Sequence, residues 1–360
     1  MRIGIDISRL ATAQKTGTER YTWEVLAELA AQPTNDTYAL YCRDVPADLP
    51  PLPAHMHVCH LPMQRLWTHV RLATELWRHH PDALFVPSHV LPWNVPFIRG
   101  MRVVTTVHDL GFLHFPGAHT TFQNAYLRLT TQWAARAADR VIAISEATAA
   151  DFVTYTGMSR DRVSVIPHGV SPRFHPQAAT PQPWSRYLLY VGTLQPRKNL
   201  LRLIQAFARA ETHPETQLVI AGRTGWLSEP LAQEINRLGL TGRVHLVGYV
   251  ADDALPGLLA QARGFVFPSL YEGFGMPVLE AMASGTPVLC ANTSALPEVA
   301  GDAAILVDPL NVDAIAGGIT LLDGDDATHA DYRQRGLDRV TAYSWQRCAQ
   351  ATIAAVKGDA

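Results

Sequence analysis

Apolar positions along the chain fall into short unbroken runs, and stretches with helical spacing separate several of them. In the first half the runs are "RIGIDI", "YALYC", "ALFVP", "RVVTTV", "RVIAIS" and "VSVIP"; in the second they are "YLLYVG", "QLVIAG", "VHLVG", "GFVFPS", "TPVLCA" and "AAILVD". Runs without polar alternation are what strands buried on both faces require, which is the condition of a parallel sheet. Helices are expected over Thr18–Ala30 and Phe122–Ala138, and a final one over "YSWQRCAQATIAAV". Between the two sets lies "PHGVSPRFHPQAATPQPW", with prolines at 167, 172, 176, 181 and 183. Such a segment suits neither a helix nor a central strand, and it reads as a linker. The expected fold class is α/β: two doubly wound domains with parallel sheets, residues 1–172 and 182–342, facing each other across a cleft. Ligands of such sheets sit beyond the carboxyl ends of the strands.

Composition narrows the function classes. Lys plus Arg number 30 against 32 for Asp plus Glu, so there is no basic excess for nucleic-acid affinity. The four cysteines, at 42, 59, 290 and 348, form no C-x-x-C pair, which argues against a zinc or disulfide framework and for reduced thiols in a cytosolic protein. The N-terminus has a strand pattern rather than a signal peptide, and no apolar run reaches the ~18 residues of a membrane span. A cytoplasmic protein is expected, with peripheral contact at the inner membrane face still open to it.

Candidate chemistry lies at the strand ends. In "YVGTLQPRKNLLRLIQAFARA" a strand ends at Gly192 and a helix is expected near Lys198, with Leu200, Leu203, Ile204 and Phe207 as its apolar stripe. Arg197 and Lys198 would then occupy a helix N-terminus, against the dipole by ~0.3–1 kcal/mol unless an anion binds there. Either they form a phosphate site or they are solvated surface cations. In "YEGFGMPVLEAMASGTPVL", Glu272 and Glu280 are the two acids of an otherwise apolar stretch, with seven residues between them. Pro277 is expected as the first helical residue, which places Glu280 one turn in and Glu272 on the preceding loop. A carboxylate pairs with cations or hydroxyls, and a vicinal diol suits it. Cations for a diphosphate and carboxylates for diols describe a nucleotide-sugar site. The bland reading makes Glu280 a dipole partner and Glu272 a solvated loop residue. "TGTERY" places Gly17 where a helix opens, as a phosphate contact or simply a turn glycine, without the G-x-G-x-x-G spacing of a dinucleotide binder. His108 follows "RVVTTV" and is either structural or a cleft residue.

These residues resemble the retaining glycosyltransferases of family 4, which have the GT-B fold of two Rossmann-like domains. "YVGTLQPRKNL" and "SLYEGFGMPVLEAMASGTPV" carry the resemblance, with support from "VHDL" and "VIPHGV". It implies that Glu272 binds donor-sugar hydroxyls and Glu280 the ribose diol. Lys198 with Arg197 would bind the diphosphate, Gly17 would lie near the donor phosphates and His108 near the donor sugar. The backbone at Tyr249–Val250 would contact the base. The loop amides of Gly273, Phe274, Gly275 and Met276 and the turn at Gly192–Thr193 complete the implied donor site. Thr193 stands where many members carry Arg, a departure that Arg197 would have to cover. The resemblance also implies that the final helix, about 343–360, packs back on the first domain. It further implies a metal-independent transfer by front-face displacement, with no cofactor beyond the nucleotide-diphosphate sugar. GDP-mannose is the favoured donor and a glycan or lipid-linked glycan the acceptor. A sugar-nucleotide 2-epimerase and a catalytically silent sugar-nucleotide binder are the alternatives.

On the acceptor side, "MQRLWTHVRLATELWRHH" is expected to form one helix with Leu66, Val70, Ala73 and Trp77 as its apolar stripe, and with Arg65, His69, Arg71, Arg78 and His79 on its other sides. It is either a basic amphipathic helix for anionic lipid or a core-packed helix with a solvated face.

Overall fold

The computed structural model describes residues 1–12, 17–118, 120–177, 182–223 and 228–359. Two compact units are present: Met1–Gly169 with Ser344–Ala360, and Val170–Tyr343. Among the described residues the first unit holds seven strands, β1 (Arg2–Asp6), β2 (Thr37–Cys42), β3 (Met56–His60), β4 (Ala83–Val86), β5 (Arg102–Val107), β6 (Arg140–Ala143) and β7 (Val163–Val165). They pair in parallel in the order β3-β2-β1-β4-β5-β6-β7. The second unit holds six, β8 (Tyr187–Val191), β9 (Gln217–Ala221), β10 (Val244–Gly248), β11 (Gly264–Phe267), β12 (Val288–Ala291) and β13 (Ala304–Val307). These are also parallel, in the order β10-β9-β8-β11-β12-β13. Every residue of β4, β11 and β12 is buried, which is why those strands read as uninterrupted apolar runs. The order in which the chain lays down its strands reverses between β1 and β4 in one sheet and between β8 and β11 in the other. Those reversals are the topological switch points where α/β sheets open a crevice.

The helix Trp345–Lys357 crosses back into the first unit, against the helix Gly17–Ala31 and strands β4, β5 and β6. Ser344 caps it, its hydroxyl accepting from the Arg347 amide at 3.4 Å. Gly169 is where the chain lets this helix in: a Cβ there would lie 2.1 Å from the Trp345 backbone nitrogen. Only glycine permits that approach.

Three expectations are corrected. Strand β3 was not anticipated, because "MHVCH" is an edge strand with exposed histidines at both His57 and His60. The proline-bearing stretch is not a free linker throughout: residues 170–177 belong to the second unit, where Phe174 is buried and Arg173 donates to the Asp252 carbonyl at 3.4 Å. Residues 178–181 lie outside the described ones. The expected helix over residues 63–80 is broken into a π-helical turn, Thr68–Leu72, and a short helix, Ala73–His79. Its buried face is Trp67, Leu72, Ala73 and Leu76, whereas Leu66, Val70 and Trp77 point out. The extra residue of the π turn shifts the register, so the stripe read from straight helical spacing is largely the outer one.

Candidate active site

Strands β8 and β11 flank the switch point of the second sheet, and the loops that follow them carry the acidic and basic candidates. After β8 the chain forms a 3-10 turn, Pro196–Lys198, and the α-helix starts only at Leu200. Arg197 and Lys198 therefore precede the helix instead of opening it. Asn199 joins the two in a left-handed conformation (φ 63°). Its amide nitrogen donates to the carbonyls of Pro268 (3.0 Å) and Pro309 (2.6 Å), and its oxygen accepts from Arg202 at 3.0 Å. The Leu270 amide donates to the Arg197 carbonyl at 2.8 Å. The cationic turn is thus stitched to the loop after β11.

That loop brings Glu272 to the two cations. Lys198 Nζ donates to Glu272 Oε1, and Arg197 Nη1 donates to Glu272 Oε2 at 3.2 Å and to the Tyr271 carbonyl at 2.9 Å. Lys198 is 7% exposed and Glu272 8%, so these are not solvated surface charges. Lys198 also sits over the Phe267 ring, 4.9 Å from its centre. Burial pushes the Glu272 carboxyl upward, but the Lys198 and Arg197 charges and the lysine hydrogen bond outweigh it and hold it below the usual carboxylate range. Two cations thus converge on one carboxylate. Each carboxylate oxygen spends one acceptor site on a cation.

The helix Met276–Ala283 begins one residue earlier than expected, with Pro277 at its second position. Gly275 caps it at φ 104°, and a Cβ there would meet Leu296 Cδ2 at 2.6 Å, so conformation and space both require glycine. Glu280 is buried in this helix at 6% exposure. Phe274 turns its ring to Tyr343, 5.9 Å away and edge-on, which leaves its backbone as the part a ligand can use. Gly273 lies on the same loop. Gly192 follows β8, its amide donating to the Ala221 carbonyl at 2.9 Å, and Thr193 after it is exposed. Tyr249 and Val250 follow β10, at the sheet edge, away from the β8–β11 pair. The Tyr249 hydroxyl reaches Asp252 at 3.2 Å.

In the first unit Gly17 is the exposed first residue of the helix Gly17–Ala31, and residues 13–16 before it lie outside the described ones. His108 follows β5, and its Nε2 lies 2.9 Å from the Pro87 carbonyl, so Nε2 carries the proton and Nδ1 is the acceptor. Burial lowers its pKa, with Pro87 and Asp109 opposing, and the ring is neutral. It meets Tyr21 edge-on (5.0 Å, 78°), and Tyr21 stacks on His168 (4.9 Å, 27°), which lies 5.4 Å from Trp345.

Sequence reasoning passed over several of these residues. Asn199 had a signal, since Asn is among the few residues that adopt a left-handed joint. Arg223 follows β9, accepts the Leu194 amide on its carbonyl at 3.2 Å, and lays its guanidinium 5.4 Å from the Tyr249 ring. A charge directly after a strand-ending glycine, in "AGR", was its signal. The stacking of Tyr21, His168 and Trp345 had none, because it joins three distant segments.

Known proteins bear on this geometry. Residues 15–174 match the family model described as Glycosyltransferase Family 4, and residues 174–339 match that of Glycosyl transferases group 1. The O-antigen chain mannosyltransferase B of Escherichia coli is 35% identical over 301 residues, 80% of this chain and 78% of that protein. The chain belongs to the family 4 glycosyltransferases. This glycosyltransferase is also 34% identical over 227 residues to the MMP alpha-(1->4)-mannosyltransferase of Mycolicibacterium hassiacum, covering 61% of this chain and 54% of that one. Its fold is that of Anabaena HepE, solved in complex with UDP-glucose: TM-score 0.75 at 20% identity, over 99% of this chain and 100% of that one. The glycosyltransferase therefore has GT-B architecture, and the Lys198–Glu272–Arg197 cluster lies within the portion matched to the group 1 model.

Proposed function

We propose that this glycosyltransferase moves a hexose from a nucleotide-diphosphate sugar to a glycan or lipid-linked glycan, with retention at the anomeric carbon and with GDP-mannose as donor. The observation that supports it most is the buried Lys198–Glu272–Arg197 cluster at the carboxyl ends of β8 and β11. Its two cations suit the diphosphate, which gains negative charge as the sugar leaves. Preorganised cations in a dry site stabilise such charge without reorganisation. Glu272, clamped at both oxygens, holds the cations in place and offers its remaining acceptor sites to sugar hydroxyls; Glu280 takes the ribose diol. In a front-face displacement the anomeric C–O bond to phosphate breaks while the acceptor oxygen bonds on the same face, and its proton passes to the leaving phosphate oxygen. No side chain is then needed as nucleophile. Mannose is preferred because the E. coli relative is named a mannosyltransferase. Arg197 and Lys198 fill the role a divalent ion would play, so we propose a transfer without metal or other cofactor. His108 enters on its chemistry, as a neutral imidazole with Nδ1 as acceptor.

The test is a panel of nucleotide sugars in thermal-shift assays, followed by donor turnover and NMR of the product anomer. A bound donor at a hundredfold excess over its dissociation constant stabilises by ~2.7 kcal/mol. GDP-mannose giving the largest shift and an α-linked product supports the reading. Conversion of the donor to its 2-epimer without an acceptor, or binding with neither transfer nor hydrolysis, contradicts it.

A further inference from the structure

A rigid apolar face of the first unit is uncovered. Trp77, Trp93 and Phe97 are 63%, 57% and 65% exposed, and Leu66 and Val70 beside them in sequence also point out. Val70, Trp77, Trp93 and Phe97 line a cavity of about 670 Å³, with His69 and Arg78 among its polar members. The face is held in shape. Trp93 Nε1 donates to the His69 carbonyl at 2.7 Å, and the Asn94 amide nitrogen donates to the Ala73 carbonyl at 2.7 Å. The Trp93 indole has thus spent its one polar group inside the protein and still turns its ring outward. Charge gathers on the same segments. Arg71 is taken up by Glu75 at 3.1 Å, while Arg65, Arg78 and Arg99 make no ion pair among the described residues.

We propose that this face seats on an anionic lipid surface, with an acyl chain entering the Trp77–Trp93–Phe97 cavity and Arg65, Arg78 and Arg99 meeting lipid phosphates. Aromatic rings next to arginines are the side chains that settle at the boundary between hydrocarbon and headgroups. Charge selects lipid over a second copy of the chain: a two-fold contact would set the same three arginines against themselves. The whole chain carries a formal charge of −2, so the attraction is local to this face and not a general stickiness. The inference is independent of the donor reading, and each variant is checked for unchanged nucleotide binding and thermal midpoint.

The test uses the full chain with vesicles of phosphatidylcholine alone and of phosphatidylcholine with phosphatidylglycerol, some carrying brominated acyl chains. The protein is expected to float only with the anionic vesicles. The pair Trp77→Ser and Phe97→Ser is expected to weaken this by about tenfold or more, because two large side chains lose their burial. Brominated chains are expected to quench the tryptophan emission of the wild type, with most of that quenching lost in the Trp77→Phe, Trp93→Phe variant, which still floats. The Arg65→Glu, Arg78→Glu variant is expected to float poorly. No flotation at low salt overturns the proposal, as does flotation unchanged in the Trp77→Ser, Phe97→Ser variant. A concentration-dependent dimer abolished by Phe97→Ser, with no flotation, assigns the face to a second copy and also overturns it.

Discussion

Glu272 does two things that can be separated by substitution. It bonds two neighbouring cations in the folded chain, and on the function proposed above it also offers acceptor sites to a ligand. Replacing it by Ala removes the carboxylate that Lys198 and Arg197 bond, a loss of roughly 3–5 kcal/mol for breaking such a buried pair. Glu272→Gln keeps the shape and one acceptor, and donor turnover is expected to fall about a hundredfold as two charge-assisted hydrogen bonds are lost. Calorimetric melting and donor-turnover rates measured side by side check both outcomes; equal, small effects of the two variants contradict them. Acid acts on the same group. Its folded pKa is depressed, so the stability it contributes is present above the ordinary carboxylate range and lost as pH falls through the lower folded value. His108 differs in kind. His108→Ala is expected to lower kcat while leaving the affinity for the free nucleoside diphosphate within about twofold, since a neutral ring contributes no charge to that anion. A large loss of that affinity removes His108 from the proposed role.

The joint at Asn199 and the cap at Gly275 decide whether these side chains meet. Asn199→Ala gives up three hydrogen bonds and keeps a left-handed residue that Ala dislikes. A destabilisation of about 2–4 kcal/mol in urea melts is expected. Gly275→Ala combines a positive φ with a clash at Leu296, and its expected loss is at least about 2 kcal/mol, with the Met276–Ala283 helix displaced. A variant at either position that melts like the wild type shows that the loop geometry described here is not required. These elements also show what the sequence could reveal. The strand runs were legible because strands covered on both faces must be apolar, while β3, at an edge and carrying histidines, was not. Glu272, Arg197 and Lys198 were legible as isolated charges at strand ends, but their pairing with one another was not, because spacing says nothing about which loops touch. The stripe at Leu66, Val70 and Trp77 misled for a related reason: periodicity finds a face, and packing decides which face is covered.

The two units rest on different kinds of buried polarity. Among the described residues the first holds imidazoles whose pKa burial lowers: His89, lowered to about 4 with His108 adding to the effect, His108 itself, His168, lowered well below its ordinary value, and the half-buried His69. The unfolded chain takes up these protons near pH 6.5 and the folded unit resists until far lower. Stability from these groups is therefore full above about pH 6.5 and is lost as pH falls toward their folded values. Melting temperature is expected to fall between pH 7 and pH 4.5, and His89→Gln to make that slope shallower; equal slopes in the two proteins contradict this. In the second unit, on the function proposed above, the cationic cluster takes the place of a leaving-group ion, so EDTA is expected to leave transfer unchanged, and a loss restored by a divalent cation contradicts that. No described helix is long and apolar enough to cross a membrane. The most direct measurement is the affinity of the nucleoside diphosphate against the monophosphate of whichever base the chain binds, by isothermal titration, in the wild type and in Lys198→Ala. The account predicts that the wild type prefers the diphosphate and that the variant loses about tenfold or more of that preference while binding the monophosphate as before. An undiminished preference in Lys198→Ala contradicts it.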